Sequence, residues 1–229
     1  MKKTNDVFIH VGLPKTGTTW IQREIFEKMK NVNYYHRFDL YTPLDFDKKT
    51  VISNEELAGV AYWEKGMDIR YQVIERLYRM FPKAKIIVGR RDERSWIRST
   101  YAQYVKNGGW RNFDSWFDFC YDKKAGDMDS YESYIYGLFG KKNVFVYDIS
   151  DLKTDISGFV TRLCGFIGEP VPPYSMKQYN KKLNWHQLIV LRYINIWFRT
   201  KENKTGLLPG VLGYCIRWCM LHASGGWQQ

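Results

Sequence analysis

The stretch that most constrains this chain runs from Val7 to Met29. An apolar run, Val7-Phe8-Ile9, leads into Val11-Gly12-Leu13-Pro14-Lys15-Thr16-Gly17-Thr18-Thr19-Trp20, and apolar residues then recur at helical spacing through Ile21, Ile25, Phe26 and Met29. This is a strand, a loop bounded by glycines, and the start of a helix. Glycines let the backbone turn tightly and approach a ligand closely. The positive end of the helix and the lysine of the loop make the segment a ready anion site. An ordinary glycine-bracketed turn between strand and helix is the plainer alternative.

The general phosphate-binding template G-x-x-x-x-G-K-[ST] has two glycines at this spacing. Here Thr18 stands where that template has lysine, and the lysine lies three residues earlier, as Lys15. The displacement speaks against the usual grip on a nucleoside triphosphate and its Mg²⁺. A different phosphorylated ligand, bound without metal, is the expectation.

Two more segments repeat the strand signal. Lys85-Ile86-Ile87-Val88-Gly89 runs into Arg90-Arg91-Asp92-Glu93 and an amphipathic helix that stops at Gly108-Gly109, while Asn143 to Tyr147 is followed by helical spacing from Ile149 to Phe166 and a stop at Gly168. Val51-Ile52-Ser53 is a short buried strand followed by Asn54-Glu55-Glu56. Residues 30 to 49, with Tyr34, Tyr35, His36, Phe38 and Tyr41, read as a loop or short elements. Met67 to Met80 and Leu183 to Phe198 carry helical spacing, and Phe113 to Tyr121 and Tyr131 to Phe139 are aromatic helical segments. Alternating strands and helices predict an α/β fold, with a central parallel sheet flanked by helices on both faces. At 229 residues the chain is expected to form one domain, with an α/β core over 6–170 and a helical C-terminal extension over 171–229.

The formal charge is +11 and unevenly spread. Eight basic residues fall between Lys83 and Arg111 against Asp92 and Glu93, and seven fall between Lys177 and Lys204 against Glu202 alone. Such clusters suit a polyanionic ligand, a nucleic acid or an anionic membrane surface, or are solvated helix faces. Cys120, Cys164, Cys215 and Cys219 have no metal-ligand spacing, and packing accounts for the last pair. The N-terminus lacks a secretory apolar region and no long apolar run exists, which points to a cytoplasmic protein. The apolar tail from Leu207 to Leu221 is expected to dock as a helix, with contact to a membrane surface or a partner as the alternative.

Arg91 ends a strand, and Ser99 lies about two helical turns later, a spacing suited to gripping a second phosphate. Pairing of the arginine with Asp92 or Glu93 is the better explanation when this segment is taken alone. Together with the first loop, however, the chain resembles the sulfotransferases that use 3′-phosphoadenosine 5′-phosphosulfate (PAPS), over roughly residues 6 to 170. Gly12 to Trp20 is similar to their 5′-phosphosulfate loop, and Ile86-Ile87-Val88 leading to Arg91 and Ser99 is similar to their 3′-phosphate motif.

The resemblance implies a P-loop-like sulfotransferase fold, with PAPS as donor, 3′-phosphoadenosine 5′-phosphate (PAP) as product and no metal. Pro14, Lys15, Thr16, Gly17, Thr18 and Thr19 would hold the 5′ end, and Arg91 and Ser99 the 3′-phosphate. Arg90 precedes Arg91, and Asp92-Glu93 departs from the usual residue-proline pair, so the choice of arginine rests on the spacing to Ser99. The late Arg-Lys-Gly motif of small-molecule members has no clear copy, Lys181 or Lys182 being weak substitutes. Transfer to a hydroxyl or amine needs a base, for which Glu55 comes first, Glu56 second and His36 third. A carboxylate at a helix start is the plainer account of Glu55. Aromatic residues over 34–41 and 110–121 suit the walls of a sugar site, or a core. The expected acceptor is a glycan or lipid-linked saccharide in a bacterial cytoplasm, with no nucleic acid partner. A P-loop kinase and a basic nucleic-acid-binding protein are the competing classes.

Overall fold

The structure is a computed structural model describing residues 6–37, 41, 43–58, 69–121, 127–177, 179 and 183–223. Phe38, Met67, Lys181 and Lys182 lie outside the described residues. Five strands, β1 (Val7–His10), β2 (Val32–His36), β3 (Lys49–Ser53), β4 (Lys85–Arg90) and β5 (Val144–Asp148), form one sheet in the order β2-β3-β1-β4-β5. Every pairing is parallel. The α/β architecture with a central parallel sheet is therefore as expected.

Both faces of the sheet are covered, which is why its strands read as nearly continuous apolar runs. On one face Phe8, Val51 and Ile87 pack with Ile21 and Ile25 from the first helix region and with Phe159, Val160 and Leu163 from a late helix. On the other, Ile9, Ile86 and Val88 pack with Ile74, Leu77, Tyr131 and Ile135. Adjacent residues Phe8 and Ile9, or Ile86 and Ile87, thus serve opposite cores, as strand alternation requires.

The helices follow the sequence pattern with local adjustments. They are α1 (Thr18–Glu24), α2 (Ile69–Met80), α3 (Glu93–Lys106), α4 (Phe113–Phe119), α5 (Met128–Phe139), α6 (Asp151–Thr154), α7 (Ile156–Ile167), α8 (Trp185–Trp197) and α9 (Gly210–Ala223). The helical spacing from Ile149 to Phe166 is divided at Asp155, whose side chain accepts a hydrogen bond from Gly158 N and caps α7. Gly168 closes α7 in the left-handed conformation (φ 75°), as its place after the last apolar residue anticipates. The segment read as loop or short elements contains β2, an edge strand in register with β3. Its polar and aromatic residues alternate weakly because an edge strand buries less than a central one.

The chain groups into two compact units. The first comprises Met1–Tyr62, Gly66–Glu93 and Lys123–Tyr179, and holds the sheet. The second comprises Trp63–Lys65, Arg94–Asp122 and Asn180–Gln229. Its core is aromatic, with Tyr101, Tyr104 and Trp116 buried against one another. Asn195 of α8 donates to the carbonyls of Val105 and Gly109, and Thr200 Oγ1 to that of Gly108, whose φ of 104° ends α3. No helix among the described residues is long and apolar enough to cross a membrane.

Candidate active site

β1 is flanked by β3 on one side and β4 on the other, so the strand order reverses around it. Ligands of open α/β sheets bind beyond the carboxyl ends of the strands at such a reversal. The loop from Val11 to Gly17 begins there. Lys15 (φ 73°) and Gly17 (φ 87°) both adopt left-handed backbone, the kind of conformation from which anion-binding concavities of N–H groups are built. For a lysine that conformation costs about 1 kcal/mol, a strain that tends to collect at functional positions. Trp20 and Ile21 donate their N–H groups to the Gly17 carbonyl and start α1.

Two threonines fasten this loop from inside. Thr16 is fully buried and donates to the Leu13 carbonyl at 2.6 Å, while Thr18 Oγ1 reaches the same carbonyl at 3.4 Å. A Cβ on Gly12 would fall 2.7 Å from Thr18 Oγ1 and 3.0 Å from His10 Nε2, so close packing requires glycine at that position. Trp20 Nε1 donates to the Ser175 carbonyl, and the buried carboxylate of Glu24 accepts from Ser175 N, Lys28 and Tyr179. Those donors hold the Glu24 carboxyl down at about 2. α1 is thus held at both ends.

Beneath the loop lies a buried polar network that the sequence analysis did not single out. His10 Nδ1 is 2.8 Å from Ser53 Oγ, and His10 Nε2 is 3.2 Å from the Tyr147 hydroxyl. Gln22 donates to Ser53 Oγ at 2.9 Å, and the Tyr147 hydroxyl lies 3.5 Å from Thr16 Oγ1, at the outer limit of a hydrogen bond. Burial pulls the His10 pKa down to about 3 and pushes the Tyr147 hydroxyl up, so both side chains are neutral near pH 7. The only hint in the sequence is a histidine that interrupts the apolar run at the end of a central strand.

The second loop differentiates the adjacent arginines. Arg90 pairs with Asp129 and, at 2.9 Å, with Glu132. Arg91 instead donates to the Lys15 carbonyl at 2.9 Å, tying the end of β4 to the first loop. Partial burial lowers the Arg91 pKa, with Asp92 and Asp148 opposing that shift. Ser99 is half-buried in α3 and belongs to the second unit, whereas Arg91 belongs to the first.

The three candidate bases all belong to the same end of the sheet. In register, His36 of β2 pairs with Ser53 of β3, and Ser53 pairs with His10 of β1. Glu55 and Glu56 open a short 3₁₀ turn directly after β3, in which Asn54 Oδ1 accepts from Glu56 N at 2.9 Å. Glu55 is half-buried, and Glu56 and His36 are exposed. The His36 ring stacks on Tyr34.

The aromatic residues expected to offer sugar walls divide in two. Trp116 and Tyr121 are core residues of the second unit. Trp110 and Phe119 both stack beneath the Arg111 guanidinium, and Phe119 is exposed. Tyr41 is also exposed. Among the described residues no cluster of His, Cys, Asp and Glu is arranged to hold a metal ion.

Comparison with known proteins agrees with this architecture. Residues 4–189 match the family model described as a sulfotransferase domain. Among solved structures, a sulfotransferase from Alicyclobacillus acidocaldarius aligns over 78% of this chain and 87% of its own, at 19% identity and a TM-score of 0.56. The mouse sulfotransferase SULT7A1, solved in complex with PAP, aligns over 89% of this chain and 67% of its own, at 14% identity and a TM-score of 0.49. No curated protein matches the sequence significantly. With the family model spanning the sheet, the loop after β1 and the arginines after β4, the chain belongs to the PAPS-dependent sulfotransferase family and is an enzyme of that class.

Proposed function

We propose that this enzyme grips PAPS between the loop after β1 and Arg91, and passes the sulfuryl group to a carbohydrate hydroxyl with Glu55 as base. The observation that carries the reading is the hydrogen bond from Arg91 to the Lys15 carbonyl. It joins the residues assigned to the two phosphate ends of the donor. Arg90 pairs with Asp129 and Glu132.

The residues present fit such a donor. The loop has left-handed backbone at Lys15 and Gly17 and bare backbone at Gly12, with Lys15 and Arg91 supplying positive charge beside it. PAPS, when bound, supplies the sulfuryl group and a phosphate leaving group. Lys15 and the start of α1 hold the 5′ end and offset the charge that grows there, with Pro14, Thr16, Gly17, Thr18 and Thr19 shaping the loop. Arg91 takes the 3′-phosphate through its planar fork. Glu55 follows a strand adjacent to β1 and accepts the acceptor's proton. Glu56 and His36, at the same sheet end, are the next candidates. A kinase is the weaker reading, because Thr18, at the place of the usual lysine, is buried and turned to the Leu13 carbonyl.

Support for a glycan or lipid-linked saccharide acceptor comes from Trp110 and Phe119, which keep ring surface outside the core of the second unit. Arg111 stacked on both rings suits an anionic sugar.

Calorimetric titration with PAP, set against ATP with Mg²⁺, tests the donor site. Selective binding of PAP is expected, and Lys15→Ala should weaken it at least about tenfold, the scale of one charge-assisted contact. Glu55→Gln should leave PAP affinity unchanged and lower transfer of labelled sulfate by about 10²–10⁴-fold. Failure to bind PAP at millimolar concentration overturns the donor assignment, whereas full transfer by Glu55→Gln overturns only the base.

A further inference from the structure

The C-terminal helix α9, Gly-Val-Leu-Gly-Tyr-Cys-Ile-Arg-Trp-Cys-Met-Leu-His-Ala, carries one arginine and is otherwise almost entirely apolar. An apolar helix of a soluble domain normally buries its large side chains. Here the arrangement is inverted. A Cβ on Gly213 would fall 2.6 Å from Phe198 Cβ, and one on Gly210 would fall 2.7 Å from the Arg199 carbonyl oxygen. α9 therefore sits on the end of α8 through the glycine edge of its first turns. Every described side chain of α9 is exposed, including Val211 (75%), Leu212 and Trp218 (51%). Cys215 and Cys219 are exposed with them, so packing does not explain that pair in this chain.

The display extends beyond α9. Leu207 and Leu208 are exposed, and Leu208 is hydrogen-bonded through its backbone to Trp197 and Arg199. On α8, Val190, Tyr193 and Trp197 recur at three- and four-residue spacing, all about half exposed. The connection between the helices presents Arg199, Lys201 and Lys204 to solvent, while its single carboxylate, Glu202, is half-buried. Large apolar residues, Trp and Tyr, and three exposed cations within one stretch of chain call for an occupant that is apolar inside and anionic outside.

We propose that α9, the segment before it and the exposed stripe of α8 form a docking surface for an anionic lipid bilayer. α9 is about 21 Å long at 1.5 Å per residue, too short for a hydrocarbon core of about 30 Å. It lies in the plane of the interface, with Val211, Leu212 and Trp218 entering the headgroup boundary and Lys201 and Lys204 meeting anionic headgroups. A second copy of the chain is a poorer occupant, since like-signed clusters would face one another across the contact. The proposal does not depend on the reaction assigned to the active site.

Co-sedimentation of the full chain with vesicles of phosphatidylcholine, with or without about one-third phosphatidylglycerol, tests it. Binding should favour the anionic vesicles at least about tenfold and weaken with added salt. Val211→Glu with Leu212→Glu should reduce vesicle affinity at least about tenfold. Lys201→Glu with Lys204→Glu should remove the preference for anionic lipid. PAP affinity and melting temperature should be unchanged in both variants, because all four side chains are exposed. Absence of vesicle binding, or equal binding by the parent and Val211→Glu/Leu212→Glu chains, overturns the proposal. So does a concentration-dependent dimer that the same pair abolishes, which would make a second copy the occupant.

Discussion

The two loops that follow β1 and β4 bring positive charge to the same end of the sheet by different means. After β1 the backbone is the instrument. Lys15 and Gly17 are left-handed, Gly12 is pressed against Thr18 and His10, and buried Thr16 holds the loop to Leu13. After β4 the side chains are the instrument, and their partners decide the outcome. Asp129 and Glu132, distant in sequence, pair with Arg90, whereas Arg91 donates to the Lys15 carbonyl. A site made from backbone announces itself in glycines at fixed spacing. A site made from side chains is settled by carboxylates that arrive from elsewhere in the chain.

The largest expected effect comes from the place where the first loop packs on β4. A Cβ on Gly89 of β4 would fall 2.5 Å from Thr16 Oγ1 and 2.6 Å from the Tyr147 hydroxyl. Gly89→Ala should therefore cost about 2–3 kcal/mol in urea denaturation, the scale of an overpacked core, and should weaken PAP binding by displacing Thr16. A variant with unchanged stability would show that the first loop is not seated on β4.

Next come the arginines. Arg91→Ala should cost about 2 kcal/mol of PAP binding, near thirtyfold, as loss of a charge-assisted contact does. Arg90→Ala should leave PAP affinity within about twofold, because its guanidinium serves Asp129 and Glu132. The reverse ranking in calorimetry would interchange their roles.

The smallest effect separates the two loops by pH. His10 beneath the first loop has its pKa lowered from 6.5 to about 3. Between these values the unfolded chain binds a proton that the folded chain does not. The stability His10 contributes is thus complete above pH 6.5 and is lost as pH falls toward 3, at about 1.4 kcal/mol per pH unit. His10→Gln should flatten stability between pH 6.5 and 5 by that amount, as read by denaturation at the two pH values. The Glu24 contribution, present above 4.5 and lost as pH falls toward 2, lies below this range. An unaltered slope would place the titrating group elsewhere.

Much of the fold was legible because it depends on local pattern. The apolar runs at Phe8, Val51, Ile86 and Val144 became parallel strands, and glycines at 108 and 168 ended helices where expected. The glycine-bounded loop after β1 was legible for the same reason. β2 was harder, since Asn33 and His36 break its apolar run and leave two tyrosines that a loop could equally hold. Trp116 and Tyr121 could serve a core or a sugar wall until packing assigned them to the core. Burial is a property of the fold, and composition records only the capacity for it.

By itself the sequence determined the parallel α/β sheet, the phosphate-type loop after its first strand and the family that loop signifies, because strand period, glycine conformation and helix spacing are local. Only the tertiary structure decided which arginine joins the loop, what lies beneath it and which side of α9 is turned outward. Those outcomes depend on groups far apart in the chain: His10 meets Tyr147, Arg90 meets Glu132, and Gly213 meets Phe198. Burial and charge neutralisation at these contacts arise only when the chain brings them together.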